Sequence, residues 1–517
     1  MTTSEGAVGA KLDLSKLSTR TQWLLLAGAI VLFILAYPTE PLFFKNQVTK
    51  YLAGMADAGV GMLHNDWTAN TKNGLPAFRG LTFLIYRFGM PQLSYVIQVL
   101  LMVVFVTGAL GIARVLEGSK TLEDSLRIDS FSIVMLCFLI LTNIGLLTKL
   151  WWGVAQQFML GPVLEPALFA TLFFAAILLY VTDRRVAAYL TTIPIGLFHP
   201  GYIIPVTVLI AGFVVSDWPN LRRTPLSVWA SMTLALLILA AHAIYLRLDF
   251  LPTSGALSDR ANIILTEFRI PEHALVSHWL TQTGTFARLG TAALAIWISR
   301  KHKIGLILLT GTVATVALTV LQTLTGSHLM ALIAPWRASV WIIPLSVVVV
   351  LGWAAHLADR TLQNSKLGIT LRLPALIVLV VLSLAAAWSG AVAKLSDYSA
   401  PLAGYEAYLK RTADERTQIL APTDLMNLRI DTEAPVYITE KSHPYQDTDV
   451  LEWYRRVQVV DALYKPAVVD CAALEKLARE AHLTDMVVTR FDQTVNCPFV
   501  ELVYLDAEAR VFKLDLK

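Results

Sequence analysis

"LSYVIQVLLMVVFVTGALGIA", residues 93–113, runs for 21 positions without a charged side chain. Coiled as a helix at about 1.5 Å per residue, it matches the roughly 30 Å hydrocarbon thickness of a bilayer. It also lacks the alternation of a membrane barrel strand. Comparable runs recur along the chain, and the composition agrees with them. The 517 residues are 56% hydrophobic and 15% charged, with a mean hydropathy of +0.59. A soluble domain carries about 25% charged residues. The sequence therefore predicts an α-helical polytopic membrane protein of about eleven transmembrane helices. They are expected at about 22–37, 93–113, 131–147, 163–182, 186–198, 201–215, 226–245, 284–299, 304–321, 340–357 and 373–393.

Lysine and arginine set the expected orientation, since cytoplasmic loops carry the excess. With the N-terminus (1–21) inside, the inner segments hold 16 Lys and Arg over about 70 positions, and the outer loops before the last helix hold 10 over about 126. The first apolar run has no small-residue cleavage site after Tyr37 and reads as an uncleaved anchor. The expected location is a bacterial inner (cytoplasmic) membrane, with a transmembrane domain over 22–393 and the C-terminal part, 394–517, on the periplasmic side. That part reads as a small α/β domain. "APVYIT" (434–439), "DMVVTR" (485–490) and "FVELVYL" (499–505) have strand character, and "AALEKLAREA" (472–481) has helical spacing. Cys471 and Cys497 fall here, where either a disulfide or two separate buried thiols would fit.

The first outer loop, 38–92, is far longer than an ordinary helical connection. Val48, Leu52, Met55, Gly59 and Met62 recur at helical spacing, as do Phe78, Leu81, Ile85 and Phe88. Two interfacial amphipathic helices are expected, with "LHNDWTANT" (63–71) at their joint. Asp66 and Trp67 would then sit just above the hydrocarbon. Other polar residues fall on the same side: Glu165 in "GPVLEP", His199 in "LFHPGY", Arg269 and His273 in "EFRIPEH", and Arg337 in "APWRAS". Each has an ordinary structural alternative. Asp66 would serve as a helix cap, Glu165 as a solvated residue at a helix start, His199 as part of a turn, and the arginines and His273 as interface residues. Their convergence on one face is what points to a site.

In this arrangement the chain resembles the GT-C class of membrane glycosyltransferases. In that class a long first outer loop carries an essential acid, the second outer loop carries another, and an outer C-terminal domain often follows. Asp66 in "HNDW" matches the first acid and Glu165 in "VLEP" the second, although the first loop has no D-x-D or E-x-D pair. A closer likeness is to bacterial membrane proteins sharing "NDWTANT", "HPGY", "RIPEH" and "EWYRR" (452–456). The resemblance implies transfer of a sugar from a polyprenyl-phosphate carrier to a glycan, lipid or protein acceptor among the membrane lipids. Asp66 is then the expected general base. Arg269, Arg337, His199 and His273 are expected to hold substrate, Trp67 to stack on sugar, and Glu165 to bind a sugar hydroxyl or a divalent cation such as Mg or Mn.

A transporter or lipid flippase, or a non-catalytic assembly protein, is the alternative. Transport would place ionisable groups in helix centres, and His242 is the main example here. Nucleic acid is not expected as a partner, because the inner loops account for the net charge of +4.

Overall fold

The computed structural model describes residues 18–364, 366–397, 402 and 404–516. The N-terminal segment with Lys11 and Lys16 lies outside the described residues up to position 17. Among the described residues, six helices are long and apolar enough to cross a membrane: Thr19–Ala36, Leu93–Leu116, Leu226–Asp249, Lys303–Thr325, His328–Thr361 and Leu373–Leu395. A seventh span results if Ser130–Leu141 and Gly145–Trp151, bent by 109°, are taken as one. Pro166–Val181, Arg185–Phe198, Pro200–Ser216 and Thr285–Ser299 are apolar but only 10–17 residues long. The expectation of eleven spans thus holds in its coarser form, a bundle of apolar helices. Several of its members are shorter than the roughly 20 residues a full crossing needs.

The 93–116 helix runs through the middle of this bundle. Its Phe105 meets Phe33, Trp151 and Phe174 at ring-centroid distances of 5.7, 5.0 and 5.2 Å. Gly108 lets the backbone come close to the 172–181 helix, since a Cβ there would lie 2.8 Å from that of Phe174. The hairpin of Arg185–Phe198 and Pro200–Ser216 turns at His199. Just beyond the far end of its second arm, Asp217 is held by Arg185 Nη1 at 2.9 Å, Lys303 Nζ at 2.8 Å and the Tyr180 hydroxyl at 2.7 Å.

The long loop after the first helix differs from a pair of surface helices. Its first half breaks into Gln47–Lys50 and Leu52–Asp57, and Val48, Leu52 and Met55 are buried. Gly54 accounts for the close fit, because a Cβ there would overlap the Thr82 side chain and the backbone of the next helix. That next helix, Pro76–Arg87, is amphipathic as expected, burying Phe78, Thr82 and Ile85 and exposing Leu84.

Residues 404–516 form a C-terminal unit around a four-stranded sheet. Its strands are β1 (Ile419–Leu420), β2 (Asp485–Val488), β3 (Val500–Leu505) and β4 (Arg510–Leu514), in the order β1-β2-β4-β3. β1 and β2 run parallel, and the other pairs are antiparallel, with Val487 opposite Val511. Helices Asp447–Tyr464 and Cys471–Ala481 supply Trp453, Val457, Leu474 and Leu477 to its core. Cys471 and Cys497 are joined in a disulfide. The expected strand at 434–439 is absent. Residues 434–446 form an irregular strip whose one bridge pairs Val436 with Ile419.

Candidate functional site

A cavity of about 600 Å³ lies between the helical bundle and this strip. Its walls are built from segments far apart in sequence. Lys50 comes from the first long loop, Glu165 from the start of an apolar helix, His199 from the hairpin turn, and Arg269, His273 and Arg337 from two later connections. Lys441, His443 and Tyr445 face it from the strip.

Arg337 reaches the cavity through an unusual turn. Ala334 adopts φ 54° and ψ 79°, a left-handed conformation rare for a residue with a Cβ, and Pro335 follows it. Trp336 is buried and donates its indole N–H to the His273 carbonyl at 2.9 Å, which anchors the turn. The Arg337 guanidinium then lies over Gly201, where a Cβ would collide with Nη1 and sit 2.9 Å from His199 Cε1. His199 stacks on Tyr202 with ring centroids 4.0 Å apart. Arg337 Nε and His199 Nδ1 are buried atoms without a hydrogen-bond partner among the described residues. Buried polar atoms rarely stay unsatisfied, so water or a polar group would complete this pair.

Arg269 ends a π-helical turn, Ile264–Arg269, a distortion found disproportionately at functional sites. Its Nη2 donates to the Lys441 carbonyl at 2.9 Å and its Nε to His443 Nδ1 at 3.2 Å. His273 lies 2.7 Å through Nδ1 from the carbonyl of Ala155, which also has a positive φ of 53°. The connections at 152–158, 270–275 and 334–337 are thereby locked together at one end of the bundle.

Glu165 is extended and immediately precedes Pro166, so it stands outside the helix that begins there. It is 3% exposed. Burial pushes its carboxyl up to about 7, against the opposing pull of a hydrogen bond from Asn46 and the charges of Lys50 and Lys441. Gly161 leaves the room it needs, since a Cβ there would lie 2.8 Å from Glu165 Oε1. Lys50 lies 3.4 Å from the Tyr445 hydroxyl, and its charge holds that phenol below its usual range. Among the described residues, none of Lys50, Arg269, Arg337 and Lys441 lies within ion-pair distance of a carboxylate. Asp447, at the cavity rim, is occupied by the Thr253 N–H and hydroxyl at 2.7 and 2.8 Å. With Arg247 and Glu272 also in its lining, the cavity has five cationic side chains against three carboxyls, one of which, Glu165, is poised near neutral pH.

Glu165, His199, Arg269, His273 and Arg337 are therefore brought together. Asp66 and Trp67 are not. Asp66 is fully buried, with Oδ2 2.6 Å from Arg429 Nε, and accepts from the N–H groups of Ala69 at 3.0 Å and Val436 at 3.2 Å. This carboxylate, expected as a base, faces the C-terminal unit and leaves no side available to the cavity. Trp67 lies under the Arg456 guanidinium, 4.2 Å from its ring centroid, and Arg456 also covers Tyr437. The "NDW" and "EWYRR" stretches are thus two halves of one contact. Among the described residues, no three His, Cys, Asp or Glu side chains group as a metal site, which neither favours nor opposes a cation arriving with substrate.

Lys50, Lys441, His443 and Tyr445 were not among the residues singled out from sequence. "KSHPYQD" (441–447) does repeat the His-Pro and tyrosine of "HPGY", and that is the signal it offered. Residues 405–460 match a family model described as a domain of unknown function (DUF6798). No curated protein matches the chain. The matched stretch is a small part of the molecule. It nevertheless carries both Arg429, which holds Asp66, and the three strip residues that face the cavity.

Proposed function

We propose that this protein is a GT-C-like glycosyltransferase of a bacterial inner membrane, moving a sugar from a polyprenyl-phosphate carrier to an acceptor at the periplasmic face. Glu165 takes the role of general base in this reading, in place of Asp66. The observation that carries it is the pairing of four cations lacking carboxylate partners with one buried carboxyl near neutral pKa. In the reaction the acceptor oxygen bonds to the anomeric carbon of the donor and gives its proton to Glu165. The bond from that carbon to the phosphate oxygen breaks, and its electron pair leaves with the phosphate. Arg337, Arg269, Lys50 and Lys441 suit the charge that develops there, arginine through paired N–H donors. A carboxyl with a pKa near the working pH is well matched to such proton transfer. The disulfide fits a periplasmic location for the C-terminal unit.

The test is mass spectrometry of polyprenyl-phosphate-linked sugars in cells with the intact protein, without it, and with Glu165→Gln. Accumulation of one carrier species in both defective strains supports transfer and identifies the donor. If the null strain accumulates it and Glu165→Gln does not, the base assignment fails. If no carrier-linked sugar changes, the transferase reading fails and transport becomes the better account.

A further inference from the structure

We infer that Asp66 is a positioning residue: through Arg429 and Val436 it fixes the strip 436–447 as the roof of the cavity. The inference rests on the proposed function only for the identity of the ligand. Along the strip, the partners change at one point. Apart from the Val436 N–H, which Asp66 accepts, up to Glu440 it bonds to its own unit, with Tyr437 N–H donating to the Ile419 carbonyl, Glu440 N–H to the Thr423 carbonyl and the Trp453 indole to the Thr439 carbonyl. From Lys441 onward it bonds to the bundle side. Arg269 donates to the Lys441 carbonyl, Ser442 meets the Thr49 hydroxyl at 3.0 Å, Gln446 donates to the Leu251 carbonyl and Asp447 accepts from Thr253.

Asp66 acts at the beginning of this strip. Its carboxylate accepts the Val436 N–H, and Arg429, which it neutralises, donates to the Val436 carbonyl at 3.1 Å. Arg429 is 1% exposed; the same Nη2 also reaches the Thr68 hydroxyl at 3.4 Å, and Nη1 reaches the Thr439 hydroxyl at 3.5 Å. Without the Asp66 charge, a buried guanidinium would lose its counter-ion and have to move or draw in water. The strip has no ladder to hold it, so movement at Val436 would be passed toward Lys441, His443 and Tyr445. Gly61 makes the same junction tight, because its positive φ of 49° lets Met62 N–H reach the Glu433 carbonyl at 2.8 Å.

The experiment uses the full chain in nanodiscs. Hydrogen exchange is followed by peptide, and binding of farnesyl phosphate by calorimetry, for wild type, Asp66→Asn, Asp66→Glu and Thr253→Val. Asp66→Asn is expected to speed exchange over 436–447 about tenfold or more, to leave 471–516 unchanged and to weaken farnesyl phosphate by about tenfold. Asp66→Glu, which keeps the charge, should recover most of both effects. Thr253→Val, which loosens the other end, should speed exchange only near 443–447. Unchanged exchange over 436–447, or acceleration spread evenly across 404–516, overturns the inference in favour of simple docking of the whole unit. Should Asp66→Asn fail to fold, acceleration in Thr253→Val that is not confined to 443–447 overturns it equally. If wild type does not bind farnesyl phosphate, the donor reading fails, and the exchange pattern still decides the role of Asp66.

Discussion

Arg269 Nε donates to His443 Nδ1 at 3.2 Å, a shorter contact than the 3.4 Å from that nitrogen to the Lys441 carbonyl, and it favours the neutral imidazole with its proton on Nε2. Burial, then the charges of Arg269 and Lys50, hold His443 well below the ordinary histidine value. The unfolded chain takes up a proton near pH 6.5 and the folded chain does not, so this residue makes stability fall as pH drops below about 6.5. His443→Gln should flatten that acid-side loss. Arg269→Met should flatten it only partly, because burial remains. Thermal unfolding between about pH 5 and pH 7 checks both.

Glu165 has the opposite sign. Its folded value, about 7, lies above the unfolded value of 4.5, so the folded state binds the extra proton between these limits. Stability should therefore be greatest at the acid end of that window and decline as pH rises through about 7, by roughly 3 kcal/mol in all. Activity should run the other way, rising as the carboxyl ionises. Glu165→Gln should remove the stability slope and lower turnover by about a hundredfold or more. In wild type the decline in stability should level off near the same pH, about 7, at which carrier consumption reaches half its maximum. A levelling point and an activity midpoint that lie apart would detach the base from Glu165.

The bundle was legible in the sequence because an uncharged run such as 93–113 has few other physical solutions. The short runs at 186–198 and 201–215 were harder, since length alone separates a crossing from a buried hairpin. The Cys471–Cys497 bond was within reach, but its alternative could be set aside only by geometry. Glu165, His199, Arg269, His273 and Arg337 could be gathered because each occupies a loop expected at the same end of the bundle. Asp66 misled for a physical reason. A lone acid near a membrane surface reads as chemistry until its counter-ion is known, and Arg429 lies in the distant C-terminal unit. The strip at 434–446 misled as well. Its buried Val436, Tyr437 and Ile438 suggest a strand, yet the neighbouring elements leave it no ladder beyond one bridge.

Gly201 should matter to binding far more than to folding. Its φ is not in the left-handed region, so alanine is acceptable to the backbone, and the obstacle is the Arg337 guanidinium and the His199 ring. The end of an arginine can swing aside. Gly201→Ala should therefore change unfolding by no more than about 1 kcal/mol. It should weaken an anionic ligand by about ten- to a hundredfold, the loss of one charge-assisted contact at roughly 1.5–3 kcal/mol. Binding of farnesyl phosphate beside the unfolding midpoint separates the two effects. A large stability loss with normal affinity would mean that Gly201 serves packing and that Arg337 does not hold the ligand.

The disulfide should behave in the reverse way. It ties the start of the Cys471–Ala481 helix to the segment before β3, with a sequence separation of 26. Closing a loop of that size restricts the unfolded chain by about 3 kcal/mol. Cys471→Ser with Cys497→Ser should accordingly destabilise the C-terminal unit by about that amount, seen as faster hydrogen exchange through 471–505. The cavity should be largely spared. Lys441, His443 and Tyr445 are carried by the strip, whose contacts are with Arg269, Thr49, Lys50 and Thr253 rather than with the disulfide loop. Ligand affinity within about threefold of wild type is the expected result, because less than 1 kcal/mol should reach the roof. A loss of affinity as large as the loss of stability would show that the sheet and the roof unfold as one unit.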